Sequence, residues 1–274
     1  MKLYISIDME GITGLVDNTF VDSRQYNYTR GQHIMTDEAN HVIGTAFDEG
    51  WKEVIVNDSH SKMNNLLIEK LHPDTQLISG DVKPFSMVQG LDASCSGAAF
   101  LGYHTRAARK GVLSHTMIFG VCNMYINDTA IGELGFNAFV AGHYGVPVLL
   151  VAGDDETAIE AEELIPGVTT AVVKKRISRT SALCLTPQKS GQLLREKTME
   201  ALANIGKVKP LIPPDNPVLS IEFANYGQAE WAHLMPGTAI EGGSPIVTYQ
   251  AKNILEAYQA MLVMTELATR TAFC

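Results

Sequence analysis

The chain has 274 residues and a formal net charge of −9 at pH 7, with 46% hydrophobic and 19% charged residues. This composition is typical of a folded globular protein and excludes a disordered or coiled-coil chain. The acidic balance, without any cluster of Lys and Arg interleaved with aromatic residues, argues against nucleic acid or an anionic membrane as the main partner.

The sequence also indicates a compartment. The opening "MKLYISID" has an apolar stretch too short for a secretory signal, and the most apolar block, "VPVLLVAG", is far shorter than a bilayer span. We therefore expect a cytoplasmic protein. Because the four cysteines have no CxxC pair, we expect small buried hydrophobic side chains and no thiolate metal site. They are Cys95, Cys122, Cys184 and Cys274.

Predicted strands alternate with predicted helices along the chain. The strands cover residues 3–7, 53–57, 98–103, 146–151 and 170–173. The first helical segment is residues 36–50, in which Thr36 is the predicted N-cap and Gly50 is the residue just after the C-terminus of the helix. A helix also follows at 156–167, and another at 186–206 starts with Thr186 as N-cap and Pro187 at the first helical position. This alternation predicts an α/β fold with a mainly parallel sheet flanked by helices.

The prolines of "KPLIPPDNP" indicate a linker or turn after this α/β part. Beyond them, "PVLSIEFA" predicts a strand and residues 251–268 predict a final helix. We therefore predict an α/β domain over residues 1–206. A smaller C-terminal strand and helix part covers residues 207–274 and need not be an independent domain.

Polar side chains follow each of the first long strands. Asp8 and Glu10 follow the first strand, Asp58 and His60 follow the second, and His104 follows the third. The carboxyl ends of parallel strands share one edge of a sheet, where ligands of open α/β sheets bind. Asp8 and Glu10 are two positions apart, so an extended backbone directs both to the same side. These side chains can therefore converge despite their separation in sequence.

Two more candidates follow: His115 in "GVLSHT" and Glu133 in "AIGELGFNA". Two imidazoles and three carboxylates suit a borderline divalent cation, with zinc favoured and manganese or cobalt as alternatives. Five ligands exceed the three of a typical catalytic zinc, and one carboxylate can bridge two ions. The sequence therefore predicts a pair of metal ions bound by the α/β domain.

Each residue alone has a simpler interpretation. Asp58 could cap a turn, which is about as well supported as ligation, and we place it outside the ligand set. Glu133 could be an acid at a helix N-terminus. Either His60 or His104 alone could be a core histidine, and only their shared position at successive strand ends favours metal binding. The remaining histidines are expected on the surface or in packing roles: His33, His41, His72, His143 and His233.

The order "SIDMEG", "NDSH", "GYH", "SHT" and "GELG" resembles the dinuclear-zinc D-aminopeptidase family associated with bacterial dipeptide-transport operons. The likeness continues through "SGDVKPFSMV", "VLLVAGDD", "SIEFANYGQAEW" and the closing "EAYQAMLVMTELATRTAFC". It therefore covers essentially the whole chain.

The resemblance implies a role for each site residue. Asp8 would bridge two Zn²⁺ ions, Glu10 and His60 would complete one site, and His104 and Glu133 the other. His115 would be the catalytic histidine, standing beside the metals without binding them. The resemblance also implies a self-compartmentalised homodecamer of two stacked five-membered rings with its active sites inside a channel.

Our main hypothesis is a metal-dependent aminopeptidase that releases N-terminal D-amino acids, typically D-alanine, from short peptides. Water activated by the two zinc ions would attack, and His115 would transfer the proton. One alternative is a dinuclear metallophosphoesterase, although its Gly-Asn-His-Asp or Gly-Asp-x-His strings are absent from the sequence. The other alternative is a non-catalytic peptide-binding or scaffold protein whose strand-end polar groups are ordinary turn residues.

Overall fold

The computed structural model describes residues 1–271. The strands are β1 (Lys2–Ile7), β2 (Glu53–Asp58), β3 (Gln76–Ile78), β4 (Gly97–Tyr103), β5 (Val121–Ile126), β6 (Thr129–Ala130), β7 (Val148–Asp154), β8 (Thr169–Ser178), β9 (Ser181–Cys184), β10 (Val218–Phe223), β11 (Thr238–Ile240) and β12 (Ile246–Gln250). The α-helices are α1 (Asn18–Val21), α2 (Tyr28–Asp48), α3 (Glu133–His143), α4 (Asp155–Leu164), α5 (Pro187–Ala203), α6 (Tyr226–Ala232) and α7 (Ile254–Ala268). Two short 3-10 turns lie at Ile68–Lys70 and Ser86–Val88.

The main sheet has seven strands in the order β3-β2-β1-β4-β7-β8-β9. All neighbours are parallel except β8 and β9. The chain builds outward from β1 through β2 to β3, then returns to the other side of β1 with β4. This reversal creates a switch point between β1 and β4, where open α/β sheets bind ligands at the carboxyl edge. The predicted fold class is confirmed.

The central strands are apolar because helices cover the sheet. Every residue of β4 and β7 is buried, as expected of parallel strands packed on both faces. Helices α2 and α5 pack against each other, α5 also contacts β7 and β8, and α4 packs on β7 and β8. The sheet is thereby held as a rigid base for the loops at its carboxyl edge.

Helix α2 begins earlier than the sequence predicted. It starts at Tyr28, so Thr36 lies inside it, and the Thr36 hydroxyl donates a hydrogen bond to the carbonyl of Gln32. The predicted N-cap was wrong because a helical threonine can satisfy its hydroxyl on the carbonyl four residues back. Gly50 does follow the helix end with a left-handed backbone (φ 81°). The cap of α5 is confirmed, since Thr186 accepts from the backbone N–H of Lys189.

A second, antiparallel sheet has the order β11-β12-β10-β5-β6. The sequence predicted only β10 and α7 in this part of the fold. Strand β10 pairs with β5, so strands on both sides of the proline-rich linker join in one sheet. Helix α7 packs on α3 and α6. Whether residues 207–274 are an independent domain stays a prediction.

The other general expectations concern the membrane and the cysteines. Within residues 1–271, no helix is long and apolar enough to cross a membrane. Cys95 is a buried free thiol, and Cys122 and Cys184 are partly buried free thiols. Cys274 lies outside the described residues.

Candidate metal centre

The six candidate residues meet at the carboxyl edge of the main sheet. Five of them are buried, each with at most 7% of its surface exposed, and His115 is half-buried. They come from the ends of three parallel strands, the first turn of α3 and the loop before β5. The residues are Asp8, Glu10, His60, His104, His115 and Glu133.

Two glycines allow the ends of β1 and β4 to approach closely. A Cβ atom on Gly102 would lie only 2.0 Å from the carbonyl oxygen of Asp8, which is too close for any side chain. A Cβ atom on Gly11 would likewise lie 2.0 Å from the carbonyl oxygen of Tyr103. Gly102 also has a left-handed backbone (φ 64°), which residues with a Cβ atom rarely adopt. This contact brings Asp8 and His104 into the same small volume.

The carboxylate of Asp8 lies between two imidazoles. Its Oδ1 atom is 3.2 Å from His60 Nδ1, and its Oδ2 atom is 3.4 Å from His104 Nε2. On the outer sides, Glu10 Oε2 is 3.0 Å from His60 Nδ1 and Glu133 Oε2 is 3.3 Å from His104 Nε2. The cluster therefore has two halves that share Asp8.

The tautomers of the histidines are set by backbone carbonyls. Nε2–H of His60 donates to the carbonyl of Val21 at 2.8 Å, and Nδ1–H of His104 donates to that of Thr105 at 3.0 Å. In each ring the other nitrogen therefore faces the carboxylates and can offer its lone pair to a cation bound between them. Such an outer hydrogen bond is typical of metal-binding histidines.

The donor atoms fit a divalent cation. Glu10 Oε2 and His104 Nε2 are buried and have no hydrogen-bond partner, although buried polar atoms are normally paired. One ligand atom from each of Asp8, Glu10 and His104 lies within 4.8 Å of the others. A set of imidazoles and carboxylates at these distances suits zinc.

The charges in the cluster shift the pKa values of its members. Burial alone would raise the pKa of Asp8, but the adjacent imidazoles of His104 and His60 hold it at about 2. Burial disfavours the imidazolium forms, yet the neighbouring carboxylates outweigh it and raise the pKa of both His60 and His104 well above its ordinary value. Three buried carboxylates thus strongly favour positive charge at this point.

His115 lies on one side of this cluster, in the loop before β5. Its ring stacks on that of His104, and its Nε2 atom is 4.0 Å from Glu133 Oε1. Its Nδ1–H donates to the carbonyl of Leu113 at 2.9 Å, which leaves Nε2 free to accept a proton. One ligand atom from each of His104, His115 and Glu133 lies within 4.8 Å of the others, so His115 is also close enough to bind a metal ion together with those two residues. Its geometry therefore allows either proton transfer or ligation.

Asp58 has a different environment. Its carboxylate accepts from the backbone N–H of Leu66 at 2.7 Å and from the Asn65 side chain at 2.8 Å, as well as from the Asn65 N–H. Asp58 therefore holds the loop that carries His60. This contact agrees with placing Asp58 outside the ligand set.

Sequence reasoning missed Lys174, a buried residue of β8. Its amine donates to the backbone carbonyls of Glu10, Ile12 and Leu15, which ties down the loop after β1. The signal for it in the sequence was slight: a lysine directly after the apolar run "TTAVV". Lys174 thus helps to place Glu10 from a strand 164 residues further along the chain.

The cluster opens into a cleft. A cavity of about 480 Å³ is lined by Glu10, His60 and His115 together with parts of α1 and the loop after His115. A smaller cavity of about 110 Å³ reaches Asp8 and Glu133 and has Met63, Met87 and Met117 among its lining residues. A neighbouring cavity of about 530 Å³ contains no side chain of the cluster, so we place the chemistry in the cleft.

The other histidines have packing or surface roles, as expected. His41 accepts from Arg195, His33 contacts Lys70, and the ring of His72 stacks on Phe47. His143 is exposed at the end of α3, and His233 lies close to Thr238.

The fold and the cluster together define an α/β protein with a candidate metal centre at the switch point of its sheet. Residues 1–263 match the peptidase M55 family, D-aminopeptidase. The chain therefore belongs to the D-aminopeptidase family, and the resemblance inferred from the sequence motifs is confirmed.

One protein sequence and one solved structure match this chain over its whole length. A D-aminopeptidase of Bacillus subtilis (strain 168) is 69% identical over 274 residues, which cover 100% of both chains. The solved structure of the Zn-dependent D-aminopeptidase DppA from Bacillus subtilis, a self-compartmentalizing protease, is 69% identical. It matches with a TM-score of 0.99 and 100% coverage of both chains.

Proposed function

We propose that this protein is a zinc-dependent aminopeptidase that releases N-terminal D-amino acids, D-alanine above all, from short peptides. The observation that carries the proposal is the position of Asp8 between two imidazoles, in a chain 69% identical over its full length to a D-aminopeptidase. Membership of a peptidase family favours this function over a metallophosphoesterase and over a non-catalytic peptide-binding protein.

We assign the five buried side chains to a pair of zinc ions. Asp8 would bridge the pair, Glu10 and His60 would complete one site, and His104 and Glu133 would complete the other. The two halves of the cluster and the unpaired Glu10 Oε2 and His104 Nε2 atoms support this assignment. Bound zinc supplies Lewis acidity, which polarises a peptide carbonyl and lowers the pKa of water.

His115 would carry the proton. With Nδ1–H donated to Leu113, the lone pair of Nε2 can take a proton from the attacking water and return it to the leaving amine. The stack on His104 limits the orientations of the ring. Glu10 and His115 line both cavities, so the zinc site that Glu10 would complete lies beside His115 at the wall of the cleft.

The assembly is proposed from the solved relative, and the location is proposed from the sequence alone. We propose that the chain forms a self-compartmentalised homo-oligomer, a decamer, in the cytoplasm. DppA is a self-compartmentalizing protease and shares the fold over its full length, which supports the assembly. Light scattering after gel filtration tests the decamer, and a mass equal to one or two chains would contradict it.

The decisive experiment compares matched substrates. We expect the purified protein to release D-alanine from D-Ala-D-Ala much faster than it releases L-alanine from L-Ala-L-Ala. Chelation should abolish the release and added zinc should restore it. Equal rates on both dipeptides would overturn the stereochemical assignment. Hydrolysis of a generic phosphodiester in preference to either dipeptide would favour the phosphoesterase.

A further inference from the structure

The loop that carries His115 has an unusual backbone. Leu113 and Met117, two residues before and two residues after His115, both have left-handed φ angles, 55° and 60°. Side chains with a Cβ atom rarely adopt this conformation, and it persists only where surrounding contacts enforce it. The position of His115 therefore depends on contacts that hold this loop from outside.

Several contacts hold the ends of the loop. The carboxylate of Asp154 accepts a hydrogen bond from the backbone N–H of Val112. The hydroxyl of Thr116 accepts one from the backbone N–H of Ala107. The carboxylate of Glu133 accepts one from the backbone N–H of Met117. None of these three hydrogen bonds involves Leu113 or Ser114. The carbonyl of Leu113 is the group that accepts the hydrogen bond from His115 Nδ1–H.

Arg179, in the turn between β8 and β9, contacts this remaining part of the loop. Its backbone carbonyl accepts from the N–H of Leu113 at 2.8 Å, and its guanidinium donates to the carbonyl of Ser114 at 2.9 Å. The guanidinium also lies over the ring of Phe119, 5.7 Å from the centroid. The Phe119 ring is in turn 5.1 Å from the ring of His115. One residue thus contacts the loop both before and after the histidine.

We propose that Arg179 is a positioning residue for the reaction. Its guanidinium fixes the 113–114 backbone and the Phe119 ring, so that His115 keeps its bond to Leu113 and presents Nε2 to the cleft. Arg179 is not among the residues that line the two cavities of the cleft, so we place its effect on the reaction through His115. The inference rests on the role proposed above for His115.

The test uses the full-length protein with three substitutions. Arg179→Ala removes the guanidinium, Arg179→Lys retains a cationic donor, and Lys175→Ala removes an exposed cation from the same strand pair as a control. Hydrogen exchange of the peptide segment spanning residues 113–119 reports on the loop without any turnover. We expect the fastest exchange in Arg179→Ala, an intermediate rate in Arg179→Lys and the wild-type rate in Lys175→Ala.

The kinetic readout separates positioning from binding. Arg179→Ala should lower kcat by about 10-fold, since a small misplacement of a catalytic group is costly, and should leave KM and zinc content unchanged. Arg179→Lys should recover part of kcat, and Lys175→Ala should match the wild type. In a His115→Ala background, Arg179→Ala should cause no further loss.

The outcomes distinguish this inference from the proposed function. If Arg179→Ala leaves exchange and kcat unchanged while His115→Ala is inactive, the positioning role is wrong and the function stands. A further 10-fold loss in the His115→Ala background would show that Arg179 does not act through His115. If His115→Ala itself is fully active, the role proposed for His115 fails.

Discussion

The imidazole rings of His104 and His115 lie face to face, with centroids 4.1 Å apart and planes 12° apart. His104 directs Nε2 towards Asp8 and Glu133, and His115 directs Nε2 towards Glu133 from the other side. A candidate metal ligand and the candidate proton carrier therefore belong to one stack and share a carboxylate. Their roles have to be separated by experiments that measure metal content and turnover independently.

Replacing His115 with alanine tests the proton-transfer role. We expect kcat to fall by about 100-fold or more, the range for loss of a general acid or base, while zinc content stays at the wild-type level. Metal analysis and steady-state kinetics on D-Ala-D-Ala provide the measurement. The exposed His143 is a matched control, and His143→Ala should have no effect. A loss of zinc in His115→Ala would instead make His115 a ligand.

Replacing Asp8 with asparagine tests the bridge. An amide has only one oxygen and no charge, so it cannot serve both halves of the cluster. We expect the Asp8→Asn protein to lose more zinc than His60→Ala, which removes a ligand from one half only. Zinc per chain after gel filtration in metal-free buffer measures this, with the exposed Asp128→Asn as control. Full zinc content in Asp8→Asn would remove Asp8 from the ligand set.

Replacing Lys174 with methionine tests the buried anchor of the loop after β1. Burial lowers the pKa of Lys174 to about 8, so at pH 7 its ammonium still supplies three donors for three carbonyls. Lys174→Met leaves those carbonyls without a partner and should reduce the free energy of unfolding by about 3 kcal/mol or more. Chemical denaturation measures the loss.

Lys174→Met should also retain less zinc, because Glu10 lies in the released loop. Lys175→Met, on the exposed neighbour in the same strand, should change neither stability nor metal content. Wild-type stability in Lys174→Met would show that the three carbonyl contacts contribute little.

Glu38 predicts a pH dependence of stability. This carboxyl, buried between α2 and α5, accepts from the Thr13 N–H and the Ser190 hydroxyl, and burial raises its pKa from 4.5 to about 7. The folded protein therefore holds a proton that the unfolded chain releases between pH 4.5 and pH 7. Stability should fall as the pH rises through this window, by about 3 kcal/mol in full.

The variant Glu38→Gln isolates this contribution. Its stability relative to the wild type should be higher at pH 8 than at pH 4.5, because the amide has no proton to lose. Denaturation midpoints at fixed protein and zinc concentration provide the comparison. Asp37→Asn, on the exposed side of α2, should leave the pH dependence unchanged. A pH-independent difference between Glu38→Gln and wild type would contradict the raised pKa.

Part of the fold could be predicted because its signals are local. The apolar runs of β1, β2 and β4, the N-cap of α5 and the glycine after α2 depend on neighbouring residues, and the structure has them at or near the predicted positions. The start of α2 could not be predicted in this way. The hydroxyl of Thr36 suits a cap and a helix interior equally, and buried contacts decide between them.

The candidate site also has some features that local sequence determines and others that depend on tertiary contacts. The sequence alone determined which side chains follow the strands, because a strand end is set by its own residues, and it determined the family through motifs spread over the chain. Only the tertiary structure decided that β1 and β4 are neighbours, that Asp8 lies between His60 and His104, and that Lys174 and Arg179 hold the loops of Glu10 and His115. The physical reason is that these contacts join residues far apart in sequence, and their geometry depends on packing that no local pattern encodes.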